Sequence, residues 1–268
     1  MTLRSDVLVT TATRETPALW RRAEQIATEL VCEAVRRIDG GMPAVFGLRP
    51  DAARAVVVQT ERLLLVDRTG REFFVHPGMG YLRFGNLILS GRDTLLDAAD
   101  VKPGDRVLDC TLGYGSEATL FAHAVGETGV VHGVEAVPEL GLVVREGLQT
   151  VTTKRPALNA AMRRVRVVHL GSHIDYLAAQ PDNAYDIVYF DPFFEDVLTE
   201  SEHFAPIRVF GDHARLSPET LKDAVRVARR RVVVKSTRWG ETFAGLGITE
   251  RVESRNGKVA FGVVRVSD

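Results

Sequence analysis

A doubly wound, mostly parallel α/β sheet is the fold class this chain predicts, and three observations predict it. The run Arg106-Val-Leu-Asp-Cys-Thr-Leu-Gly-Tyr-Gly-Ser-Glu117 reads as a buried strand leading straight into a glycine turn that opens a helix. From about Gly91 onward strands and helices alternate, the pattern of parallel strands joined by helical crossovers. The chain then closes on two strand-like runs, Ile248 to Glu253 and Lys258 to Val266. They flank Ser254-Arg-Asn-Gly257, and an Asn-Gly pair in that position signals a hairpin. The expectation is a seven-stranded sheet ending in an antiparallel hairpin. A small α/β domain over residues 1–75 precedes it, and residues 76–268 form the larger domain.

In the N-terminal stretch a short strand is expected at Val7 to Val9. Thr16 then reads as an N-cap and Pro17 as the first helical position. Leu19, Ala23, Ile26, Ala27 and Leu30 recur at helical spacing and give that helix its apolar stripe. Two extended runs follow, Ala55 to Gln59 and Arg62 to Asp67, and the Arg68-Thr-Gly70 turn leads into Glu72 to Val75. Together these form a small sheet. In the larger domain a helix is expected over Thr94 to Ala99, followed by the Lys102-Pro-Gly-Asp105 turn and the first strand of the sheet. A helix from Glu117 to Ala124 and a second strand, Val130 to Glu135, come next. The third and fourth strands are Val165 to His169 and Asp186 to Phe190. A helix beginning near Pro218, with Leu221, Ala224, Val225 and Ala228 turned inward, leads to the fifth strand, Arg231 to Lys235.

At 268 residues the chain is long enough for a full core. Thirty-four basic and thirty-five acidic side chains leave a net charge of −1, so no overall basic field announces a nucleic acid, and any such contact must come from local patches. Cys32 and Cys110 are too few for a disulfide framework, which points to a reduced, cytoplasmic protein. No apolar stretch reaches membrane-spanning length, and no spacing of cysteines and histidines resembles a metal site. A soluble, metal-free chain is expected.

The candidate ligand site follows from the first strand and the turn after it. Gly113 and Gly115 permit positive φ and a close backbone approach, and Ser116 and Glu117 stand at the helix start. Glu135 ends the second strand, about twenty residues on, where a carboxylate accepts hydrogen bonds from a ribose diol, with Ala136 beside it. Asp109 is placed either to reach a ligand ammonium or to fix the turn. These features indicate an adenosine-containing cofactor, and a Gly-x-Gly turn serves a dinucleotide or S-adenosylmethionine alike. Asp191-Pro-Phe-Phe194 after the fourth strand distinguishes the two, because such a turn belongs with methyl transfer to exocyclic amines and not with hydride transfer.

Four blocks, Phe74-Val-His-Pro-Gly-Met79, Pro103-Gly-Asp-Arg-Val-Leu-Asp-Cys-Thr-Leu-Gly113, Asp191-Pro-Phe-Phe194 and Arg231-Val-Val-Val-Lys235, carry a family resemblance. The chain resembles the RsmJ-type methyltransferases, which modify guanine N2 in small-subunit ribosomal RNA, and more closely their YpiP-type relatives. The resemblance implies a Rossmann-like class I methyltransferase fold, S-adenosylmethionine as cofactor, and ribosomal RNA or the small ribosomal subunit as partner. It also implies that Gly171 and Ser172 contact the cofactor. Asp191 would face cofactor and amine, Pro192 would stiffen the turn, Phe193 or Phe194 would stack on the base, and Lys235 would touch a phosphate or guanine O6. His76 is placed to line the site from the N-terminal side. Arg163, Arg164 and Arg166, and Arg226 with Arg229, Arg230 and Arg231, read as solvated faces. Thr199 to Arg215, with His203, Arg208 and His213, is the segment expected to choose the substrate.

Overall fold

β1 (Val7–Thr11) is buried along its whole length and leads to α1 (Pro17–Leu30). The Thr16 hydroxyl accepts the Leu19 N–H at 3.2 Å and Pro17 takes the first helical position, so this helix starts as its sequence dictates. The computed structural model, which describes residues 2–76, 78, 80–192, 209–212, 214–239, 241–253 and 257–266, continues with β2 (Glu33–Ala34), α2 (Gly41–Leu48), β3 (Arg54–Val58), β4 (Leu63–Asp67) and β5 (Glu72–Phe73). These strands form a sheet in the order β2-β1-β3-β4-β5, with β1 parallel to β2 and β3 and the remaining pairs antiparallel.

α3 (Tyr81–Ser90) and α4 (Thr94–Ala99) connect this unit to the larger sheet. Sequence periodicity passes over α3, whose interior holds Gly85, a weak helix former. There the position of an absent Cβ lies 2.8 Å from the end of the flexible Arg155 side chain, which would have to shift to admit a side chain. Then come β6 (Arg106–Asp109), α5 (Ser116–Val125), β7 (Val130–Glu135), α6 (Pro138–Thr150), α7 (Pro156–Arg164), β8 (Val165–Leu170), α8 (His173–Ala178) and β9 (Tyr185–Phe190). The chain ends with α9 (Pro218–Val227), β10 (Ala228–Thr237), α10 (Thr242–Gly245), β11 (Glu250–Glu253) and β12 (Val259–Arg265). β10 outruns the expected Arg231 to Lys235 at both ends, because β9 pairs with it at Ala228 and β12 pairs with it as far as Thr237.

The seven strands run in the order β11-β12-β10-β9-β6-β7-β8, and β12 is the strand antiparallel to its neighbours. The terminal hairpin is therefore present, although its turn residues Ser254, Arg255 and Asn256 lie outside the described residues. Alternate residues of the central strands face two cores. Val107, Ile187, Tyr189 and Val233 pack on the side of α4 to α7, whereas Leu108, Val188, Phe190 and Val234 pack on the side of α8, α9 and α10. A sheet covered on both faces accounts for the unbroken apolar runs of these strands.

The small sheet adds to the first of those cores, and two contacts fix where it sits. In α6 the place of a Gly147 Cβ is filled by Val75, 2.4 Å away, so the helix and the strand exit touch backbone to side chain. Glu139, fully buried in the first turn of α6, accepts hydrogen bonds at 3.0 Å from both Arg4 and Arg54. The arginine groups do similar work elsewhere. Arg163, Arg164 and Arg231, expected to be solvated, are instead partly buried and donate to the carbonyls of Val151, Ala122 and Ala98, because the helix ends packed there leave those carbonyls unpaired by backbone.

Candidate active site

The strand order reverses between β6 and β9, and the carboxyl ends of β6, β7, β9 and β10 meet at that switch point, where open parallel sheets receive ligands. Backbone bonds shape the rim. The Leu112 N–H donates to the Val134 carbonyl at 3.0 Å and the Gly115 N–H to the Leu112 carbonyl at 2.7 Å, closing the turn. Gly113 and Gly115 sit at φ 51° and 72°, the left-handed region in which a Cβ is strained. Between them Tyr114 stacks on Phe73 with ring centroids 4.8 Å apart, so the N-terminal unit braces the glycine turn directly.

Glu135 ends β7 beneath that turn. Its Oε2 accepts the Gly113 N–H at 3.0 Å and its Oε1 the Val137 N–H at 3.1 Å, and 6% of the residue is exposed. Burial raises its pKa to about 7 against the pull of those two amides, with Asp212 adding to the rise. Asp109, 1% exposed, accepts the Thr111 N–H at 3.0 Å, so the turn-fixing role is present in the structure. Burial first, then Glu117, Asp191 and Glu135, push its carboxyl well above the usual range. These carboxylates therefore lie within one another's fields.

Asp191 follows β9, its N–H donating to Thr111 Oγ1 at 2.6 Å. Val234 pairs with Phe190, and the same register brings Lys235 beside Asp191. Lys235 Nζ donates to Asp191 Oδ2 at 2.6 Å and to Glu117 Oε1 at 3.2 Å. Arg83 donates to the same Glu117 oxygen at 2.8 Å and grips both oxygens of Asp93 at 2.8 and 3.0 Å. Burial would suppress the charge on Glu117, but Lys235 and Arg83 bring its carboxyl down to about 2. For Asp191 burial prevails and raises the carboxyl, Lys235 opposing and Glu117 reinforcing. The Tyr189 hydroxyl, in the field of Asp191, Glu117 and Asp109, is buried with no hydrogen-bond partner among the described residues.

The sequence-predicted residues distribute as follows around this edge. Asp109, Gly113, Gly115, Glu135 and Asp191 come together at the switch point. Ala136 follows Glu135, the Gly171 N–H donates to the Glu135 carbonyl at 2.8 Å, and the Ser172 hydroxyl accepts the Ile174 N–H at 3.1 Å as the N-cap of α8. Ser116 lies against Gly80, and Glu117 turns its carboxylate to Lys235 and Arg83. Lys235 is half-buried in ion pairs, unlike a solvated strand-end lysine. His76 is exposed and its Nδ1 accepts the Gly78 N–H at 3.0 Å. Pro192 is buried; Phe193, Phe194, His203, Arg208 and His213 lie outside the described residues. Sequence reasoning missed Arg83, Asp93, Tyr189 and Asp212. An N-cap aspartate before Thr94 was legible, since Asp93 accepts the Leu95 N–H at 2.9 Å. Arg83 carries no local signal.

The donor set fits S-adenosylmethionine. Its sulfonium and ammonium are cations and its ribose is a diol, and this edge offers buried carboxylates, close-approach backbone at the glycine turn and a buried hydroxyl without a partner among the described residues. Among the described residues no group of histidines, cysteines and carboxylates is arranged to hold a metal, and no helix is long and apolar enough to cross a membrane.

Comparisons with known proteins identify the family and the fold. Residues 49–261 match the family described as "Putative SAM-dependent methyltransferase". The chain is 34% identical over 261 residues to the uncharacterized protein YpiP of Bacillus subtilis, covering 97% of this chain and 100% of that one. It is 29% identical over 160 residues to the ribosomal RNA small subunit methyltransferase J of Marinobacter nauticus, covering 57% of this chain and 54% of that protein. In fold it resembles a SAM-dependent methyltransferase from Neisseria gonorrhoeae with a TM-score of 0.64 at 19% identity, over 96% of this chain and 95% of the other.

Proposed function

This chain belongs to the SAM-dependent methyltransferase family, and from that premise we propose that it methylates the exocyclic N2 amine of a guanine in small-subunit ribosomal RNA. The observation that carries the reading is the Asp191–Lys235 pair at the switch point, a carboxylate and an ammonium held 2.6 Å apart beside the glycine turn. The partial similarity to a small-subunit ribosomal RNA methyltransferase supports the substrate class.

Bound S-adenosylmethionine supplies an electrophilic methyl on a sulfonium, so the protein's task is chiefly to position the nucleophile. The lone pair of guanine N2 is delocalised into the ring and must be localised before it can form an N–C bond. In this proposal Asp191 accepts an N–H of that amine, which lets the nitrogen pyramidalise. With the cofactor bound, the N–C bond would form as the S–C bond breaks with its electron pair left on sulfur, and Asp191 would take the amine proton. A carboxyl raised by burial is the better proton acceptor for this step. Lys235 holds Oδ2, leaves Oδ1 to the amine and presents a cation toward guanine O6 or a phosphate. Glu135 accepts the ribose hydroxyls, and Asp109 with the turn around Gly113 and Gly115 receives the methionine end. Gly171, Ser172 and Ala136 border the adenine, and Phe193 or Phe194 stacks on the base. The work is done in the cytoplasm, by residues 76–268 as the catalytic domain with residues 1–75 as a bracing domain.

The test is methyl transfer from labelled S-adenosylmethionine to small ribosomal subunits, and to naked ribosomal RNA, from cells lacking the gene. Label in a guanine, lost in Asp191→Ala while calorimetry shows S-adenosylhomocysteine still bound, is the expected result. Cofactor binding with unlabelled RNA in both substrates overturns the RNA assignment.

A further inference from the structure

We infer that Arg83, acting through Glu117, is a positioning residue for the Asp191–Lys235 pair, so that the charge and placement of Asp191 are set from α3, outside the strands that carry the site. The inference rests on the reading of Asp191 as the group that meets the substrate amine.

Five side chains of alternating sign form the connection. Asp93 is fixed first, because its Oδ1 caps α4 through the Leu95 N–H at 2.9 Å. Its two oxygens take Arg83 Nε and Nη2 at 2.8 and 3.0 Å, a bidentate grip that orients the guanidinium plane. Nη1 is thereby aimed at Glu117 Oε1, 2.8 Å away. The same oxygen accepts Lys235 Nζ at 3.2 Å, and Nζ reaches Asp191 Oδ2 at 2.6 Å. One carboxylate oxygen thus serves two cations, and each cation it holds weakens its claim on the other. With Arg83 in place the ammonium lies closer to Asp191; without it Glu117 draws Lys235 away and Asp191 loses part of its counter-charge. Side-chain exposures of 31, 17, 19 and 25% for Arg83, Glu117, Lys235 and Asp191 put the chain below the surface, where such coupling escapes most solvent screening.

The groups facing Asp191 are Lys235 from β10, Glu117 from α5, Arg83 from α3, Asp109 from β6 and Tyr189 from β9. Removing Arg83 takes away a cation and frees Glu117 to compete, so Asp191 becomes harder to ionise. Neutralising Glu117 does the reverse. Generic loosening of the fold would not move one group in opposite directions.

The experiment titrates full-length protein labelled with carbon-13 at the aspartate carboxyls, the Asp191 signal being assigned by its absence in Asp191→Asn. Relative to the unmodified protein, Arg83→Gln is expected to raise the Asp191 midpoint by about one pH unit and Glu117→Gln to lower it by a similar amount. The double variant should fall between them, and Arg83→Lys, which keeps the charge, should recover most of the original midpoint. Should Arg83→Gln fail to fold, Arg83→Met replaces it with the same expected rise in the Asp191 midpoint, beside Glu117→Gln and Arg83→Lys. Midpoints that coincide in every folded variant overturn the inference. Because no RNA is needed, a failed methyl-transfer assay refutes the substrate reading and leaves this coupling standing, and the converse holds.

Discussion

Protonation of Glu135 should control cofactor affinity across the neutral range. Its carboxyl stands at about 7 in the folded protein against an ordinary value of 4.5, a gap equivalent to about 3 kcal/mol. The sign is that of a raised acid: the contribution to stability is complete below the unfolded value and is lost as pH rises through the folded one. Ribose hydroxyls donating to Glu135 favour the charged form and pull its midpoint back toward the ordinary value. Binding of S-adenosylmethionine then expels a proton wherever the free carboxyl is protonated, and affinity climbs with pH until it levels above 7. A full return to the ordinary value makes binding about 30-fold weaker at about pH 5.5 than at pH 8. Calorimetry in buffers of different ionisation enthalpy measures both the affinity and the proton released. Glu135→Gln should bind more weakly at about pH 8, by about tenfold, and lose most of the pH slope. An affinity that is flat across this range in the unmodified protein, with no proton released, refutes the argument that Glu135 both titrates near neutrality and holds the ribose.

Gly147→Ala places a Cβ where Val75 already lies 2.4 Å away, so urea unfolding should show a loss of about 1 to 3 kcal/mol. Glu139→Ala leaves Arg4 and Arg54 facing a buried gap; with those arginines 29 and 28% exposed, thermal and urea unfolding should report about 2 kcal/mol, below the usual cost of breaking a fully buried pair. Gly115→Ala forces a Cβ into φ 72° and to 3.2 Å from Leu148, which should cost about 1 to 2 kcal/mol and reduce cofactor affinity measured by calorimetry.

Local chemistry determined the elements and the order in which they follow one another. Thr16-Pro17 starts α1, the Gly-x-Gly turn opens α5, a carboxylate ends β7, and Asn-Gly lies between the last two strands. Each of these signals depends on backbone preferences within a few residues, which is why they are legible without a structure. The same locality set the limit. Gly85 lowers the helical propensity of α3, and the Arg155 guanidinium it faces lies seventy residues on. Lys235 is legible as a strand-end cation on the edge that carries Asp191, but its ion pairs with Asp191 and Glu117 exist only once β10 pairs with β9. Arg83 and Glu117 are 34 positions apart, and Glu117 and Lys235 are 118 apart. Nothing in the spacing announces them, because the register of parallel strands and the packing of α3 on α5 bring them together only after the chain has folded. The sequence by itself thus determined a methyltransferase-type sheet and the residues at its edge. Tertiary structure alone decided their charge states, since burial and distant partners, not neighbouring residues, fix the field in which Glu135, Asp109 and Asp191 ionise.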